Sequence, residues 1–103
     1  MSFVQFRQPE EATFMLSQTQ KDVLKKLINI EQGLPEGVSL TFAVDNTILL
    51  LDEAERAQYV RAIHSLIMAG YLTSHTNRQT DCGVPYWLEL TKRGRNYSEV
   101  MSA

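Results

Sequence analysis

The stretch RAIHSLIMAGYL, residues Arg61 to Leu72, changes its period halfway along. Up to Met68 its apolar residues recur at the three-four spacing of a helix, and from Tyr71 an extended run begins. Between them stands Gly70, the residue type that enters the left-handed region freely and so ends helices. A helix running straight into a strand is therefore expected here.

Upstream, Asp52 is a good N-cap and Glu55 sits at the capping-box position. Glu53 and Glu55 also suit the positive end of the helix dipole. In the helix from Asp52 to about Ala69, Val60, Ile63 and Ile67 line one face, flanked by Tyr59 and Leu66. Nearly opposite lie Gln58, Arg61, Ala62 and Ser65, a small polar face with one Arg. Downstream, Tyr71 to Thr76 reads as a strand, NRQTDCGVP as a turn-rich loop, and Tyr86 to Leu90 as the returning strand. Strict alternation there would turn one of Tyr86 and Trp87 into the core. Thr91 caps a last helix reaching about Met101.

Towards the N-terminus, Ser17 and Gln20 form another capping box. Val23, Leu24, Leu27 and Ile28, with Ile30 at the margin, make one apolar stripe, and Gly33 with Pro35 stops the helix. Residues 1–16 read as an arm whose aromatics, Phe3 and Phe6, need the core or a partner to cover them. Residues 17–103 read as one domain. Within it, VSLTFAVDNTILLL, residues 38–51, fits two descriptions. Val38, Leu40, Phe42 and Val44 alternate, which with a turn at Asp45-Asn46 predicts a hairpin. A short buried helix fits the same apolar run. The alternation is the stronger pattern, so extended structure is expected.

The order helix, ambiguous segment, helix, hairpin, helix resembles the winged-helix family of helix-turn-helix proteins, an α+β fold. YVRAIHSLIMAGYL is similar to a recognition helix entering the first wing strand. LELTKRGRNY is similar to the second wing strand and the Leu-Thr-x-x-Gly-x-x-Tyr closing segment of bacterial and phage members, here Leu90, Thr91, Gly94 and Tyr97. LSQTQKDVLKKL is similar to the family's first helix. The family's second helix would fall at 38–51, where a hairpin is expected instead.

The resemblance implies a small transcriptional regulator that binds double-stranded DNA. Helix 52–69 would lie in the major groove, with Gln58, Arg61 and Ser65 towards bases or phosphates. Asn77, Arg78 and Gln79 at the wing tip, and Lys92, Arg93 and Arg95 on the closing segment, would meet phosphates. A homodimer would cover two half-sites. The alternative is a winged helix used for protein–protein contact, with Phe3, Phe6, Tyr71 and Trp87 as interface aromatics.

Charge divides these two readings. The chain carries a net −2, which opposes general attraction to polyanions. Residues 1–55 hold four basic groups against nine acidic, and residues 56–103 six basic against three acidic. Any nucleic-acid surface is therefore expected in the second half.

Enzyme chemistry is not expected. Cys82, His64 and His75 stand singly, without the spaced pairs of a zinc site. No phosphate-cradling glycine loop is present, and no cofactor is expected. His64 reads as a packing residue and Cys82 as a turn thiol. One cysteine makes no internal disulfide, which suits a reducing cytosol. The longest aliphatic run, Ile48 to Leu51, is far short of the ~20 residues of a membrane span. MSFVQFRQPEE lacks a basic segment followed by an apolar core, so no signal peptide is expected.

Overall fold

Local signals start each of the first three helices. In α1, Gln18–Gln32, the Ser17 hydroxyl accepts from the Gln20 N–H (3.1 Å) and the Gln20 side chain accepts from the Ser17 N–H (2.7 Å). Helix α2 spans Leu40–Ile48, capped by the Ser39 hydroxyl at the Phe42 N–H (3.1 Å). In α3, Glu53–Met68, Asp52 and Glu55 form the second capping box. Gly70 follows at φ +89°. Strands β1 (Leu72–Ser74) and β2 (Leu88–Leu90) pair antiparallel with Leu72 opposite Leu90. Helix α4, Lys92–Ser102, closes the chain, and the Thr91 hydroxyl accepts from the Gly94 N–H (3.1 Å) while donating to the Gly70 carbonyl (2.7 Å). The computed structural model describes residues 16–102, with side chains to residue 97. Its architecture is α+β, three main helices and an antiparallel hairpin in a winged-helix-like layout. Phe3 and Phe6 lie outside the described residues.

Residues 38–51 correct the expectation of a hairpin. They hold α2, which buries Leu40, Thr41, Val44 and Ile48 at helical spacing. The alternation counted Phe42 as core, yet Phe42 is 58% exposed. Tertiary burial of the Leu40–Val44–Ile48 stripe decides the period, as it does for many short apolar runs.

The buried stripe of α3 is also rotated from the expected one. Tyr59, Ala62, Ile63 and Leu66 are buried, while Val60 and Ile67 are half-buried. Ala62 and Ser65, expected on the outer face, instead turn towards α1: Ala62 is buried, and the Ser65 hydroxyl accepts from the Gln20 side-chain amide at 2.7 Å. The α1–α3 contact dominates the packing, with Leu24, Leu27, Ile63 and Leu66 all fully buried.

The hairpin is short as a ladder and long as a loop. Beyond Ser74 and before Leu88 the chain folds back over α2 and α3. Thr80 donates to the Asp45 carboxylate (2.9 Å), and the Gly83 carbonyl accepts from the ring Nε2–H of His64 (3.0 Å), since a carbonyl can only accept. Val84 is fully buried. Thr41, the buried polar residue of the core, donates to the Pro85 carbonyl (3.0 Å) and accepts from the Leu88 N–H (3.0 Å). Gly94 sits where a Cβ would overlap the Tyr71 carbonyl, so the closing segment needs glycine for close approach.

Thr41→Val keeps the shape and removes both bonds, leaving the Pro85 carbonyl and the Leu88 N–H without that partner. We expect it to cost roughly 2–4 kcal/mol in chemical denaturation. Ile63→Ala should cost about 2–5 kcal/mol, the range for opening a core cavity; an unchanged midpoint in either variant would reject the packing described.

Candidate interaction surfaces

The outer face of α3 follows from which side is buried. Ala54, Ala57, Gln58, Arg61 and Met68 are exposed there. Gln58 and Arg61 stand together beside an open cleft formed with Ser17, Thr19 and Gln20 at the start of α1. Ser65 lines the same cleft, but its hydroxyl is engaged by Gln20 and donates to the Ala62 carbonyl (2.9 Å), a structural role.

The other expected contacts scatter. Asn77, Arg78 and Gln79 are exposed on the hairpin loop, with the Arg78 guanidinium 5.4 Å from the Tyr86 ring centre. Lys92 and Arg93 are exposed at the start of α4, and Arg93 lies 4.9 Å over the Tyr71 ring. Arg95 is held in a two-pronged pair with Glu31 (3.0 and 2.9 Å), which ties α4 to α1 and neutralises its charge.

The N-terminal half of α3, the part a groove-reading helix would insert, is ringed by acids. Asp52, Glu53 and Glu55 stand on its first turn and cap. Asp45 and Asp81 lie close enough to act on Cys82 beside it: burial, then Asp45, pushes this thiol up, Asp81 adds to the rise, and Arg56 opposes it. Cys82 is therefore poorly suited to thiolate chemistry at neutral pH. Among the described residues no group of His, Cys, Asp and Glu is arranged to hold a metal ion, and no helix is long and apolar enough to cross a membrane.

Two of the expected interface aromatics fall differently. Tyr71 is a correction: it is 4% exposed, packed edge-on against Tyr97 at 5.6 Å and roofed by Arg93, so it belongs to the core. Trp87 is 50% exposed, and Tyr86 beside it is 48% exposed. The alternation expected to bury one of them fails because the backbone bends at residues 86–87, between the Pro85 and Leu88 bonds to Thr41. The indole N–H of Trp87 donates to Glu89 (2.9 Å), whose other oxygen meets His75 (3.3 Å), so the half-exposed ring is held in one orientation. Sequence reasoning missed the exposed apolar residues at and just beyond α2: Phe42 on the helix, and Leu49 and Leu50 after its end. The signal for Phe42 was available in the helical spacing once 40–48 is read as a helix, since it falls off the Leu40–Val44–Ile48 stripe.

Compared with protein-family models, with curated proteins and with solved structures, the chain matches none.

One buried group on α3 gives a pH signature. The Tyr59 hydroxyl has no hydrogen-bond partner, and burial pushes its pKa up to about 12. The fold favours the neutral phenol, so this stability is complete below pH ~10 and is lost as pH rises towards 12, by up to roughly 3 kcal/mol. We expect Tyr59→Phe to match the wild type at pH 7 or exceed it, and to unfold at higher pH in an alkaline titration followed by circular dichroism.

Proposed function

We propose that this chain is a non-enzymatic protein-docking module on a winged-helix frame, with the hairpin aromatics as its contact surface. The observation that carries this reading is the pair Tyr86 and Trp87, both half-exposed and both held at a fixed bend. Exposed, oriented aromatic rings are the usual anchors of protein interfaces.

Electrostatics supports the same choice. A polyanion approaching the N-terminal half of α3 meets Asp52, Glu53 and Glu55 before it meets Arg61. The hairpin loop is tethered to α2 and α3 through Thr80 and Gly83, so it is not a free arm for reaching a neighbouring phosphate backbone.

A second reading, a DNA-binding transcriptional regulator, is favoured by one observation. With α2 present at Leu40–Ile48, the helix–turn–helix expected to be incomplete has both helices. The open outer face then offers Ala57 for close approach and Gln58 and Arg61 for base edges.

The two readings separate in one experiment. A photo-crosslinking residue is placed at position 86 in one variant and at position 58 in another, and adducts are collected from cells that contain the protein's natural partners. Docking predicts a defined protein adduct from position 86 and no DNA adduct from position 58. DNA adducts from position 58, together with duplex binding at low salt that added salt dissociates, would replace it with the regulator reading.

A further inference from the structure

Deepening the docking reading on which it rests, we propose that the cleft of His75, Thr76, Arg78, Tyr86 and Trp87 takes an extended, proline-bearing segment of a partner protein that carries carboxylates. Three features of the cleft select this occupant.

The first is size. Tyr86 and Trp87 are each about half exposed. At 150–250 Å² for a fully buried aromatic side chain, they offer on the order of 200 Å² of ring surface. A stable dimer buries about 800 Å² per partner. A second copy of this chain is therefore not supported, and a short segment is.

The second is the kind of contact left open. The Trp87 N–H is already bonded to Glu89, so the half-exposed indole offers apolar surface and no free donor. A compact, puckered pyrrolidine ring packs on such a surface without needing a hydrogen bond. With so little area to bury, association also requires a ligand that loses little entropy, and a polyproline II segment is extended before it binds.

The third is charge. Arg78 makes no ion pair among the described residues, while Glu89, next to Leu88 on β2, is satisfied by Trp87 and His75. Its guanidinium, over the Tyr86 ring, is placed for a carboxylate on the segment. Stacked bases of single-stranded nucleic acid would suit the rings too. Asp81 on the same loop and Asp45 bonded to Thr80 repel a continuous phosphate chain more than one or two carboxylates.

Trp87 is the sole tryptophan of the chain, so its fluorescence reports on this cleft directly. The probe is a blocked peptide of about ten residues in Pro-Pro-Glu repeats, roughly 30 Å long as polyproline II. We expect a saturable shift of Trp87 emission. Replacing the prolines by Ser and Gly should weaken binding by about tenfold or more, as should Tyr86→Ala. Arg78→Ala should weaken it about two- to fivefold, the range for an exposed ion pair, and a Lys-for-Glu peptide should bind no better than that. Thermal unfolding of each variant confirms that it is folded.

Equal binding of the Ser-Gly peptide, or no saturable shift with the proline peptide, overturns the proposal. So does a saturable, salt-sensitive shift with oligothymidylate, which assigns the cleft to single-stranded nucleic acid. If the peptides fail while position 86 still crosslinks to one defined protein, docking stands and the proline chemistry is wrong. If both fail, the docking reading falls with it.

Discussion

A single hydroxyl holds the two halves of this molecule in register. Thr41 lies in the core on α2 and satisfies both the Pro85 carbonyl and the Leu88 N–H. Buried backbone groups left unpaired are costly, so these two bonds fix where the returning strand can begin. From that point Leu88 and Leu90 turn inwards to the core. Upstream of it the loop has to fold back, and Val84, Gly83 and Thr80 dock on α2 and α3 in sequence. Residues 86 and 87 lie between the two anchors, and their rings face outwards as a result.

The sequence was most readable where a residue acts on its immediate neighbours. The capping pairs Ser17–Gln20 and Asp52–Glu55, the stop at Gly70 and the Thr91 cap all appear where the residue pattern places them. Each depends on contacts within a few positions, which a linear reading can see. The α+β architecture and its element order followed from these. The second helix did not, because its period is set by what covers Leu40, Val44 and Ile48, and Ser39 is a weaker start signal without an acid or amide three residues on.

The candidate surfaces were less legible than the fold for the same reason. Gln58 and Arg61 are exposed as expected, since the polar side of α3 is written in its own spacing. Ser65 was misplaced because Ala62 beside it carries little hydrophobic signal, yet it sits in the α1–α3 contact. Tyr71 looked spare in sequence, but its covers, Arg93 and Tyr97, arrive from another element more than twenty residues later. Trp87 was identified, but Tyr86 was expected to alternate with it, and only the bend imposed through Thr41 exposes both.

The Thr41 anchor also dictates an order of events during synthesis. Its acceptor at Pro85 lies 44 residues downstream and its donor at Leu88 lies 47 downstream. The Glu31–Arg95 pair spans 64. While the chain is growing, α1, α2 and α3 are complete before any of these partners exists, so the nascent helices carry an uncovered flank and an unpaired hydroxyl until residues 85–95 emerge. Closure then waits for one stretch of loop and helix α4, which complete the core together. A chain shortened by its last two elements would keep its helices' local signals yet lose the parts that seal them. The same dependence ties the exposed aromatic pair to the closed core, so a partner can find it only once that loop has docked on Thr41.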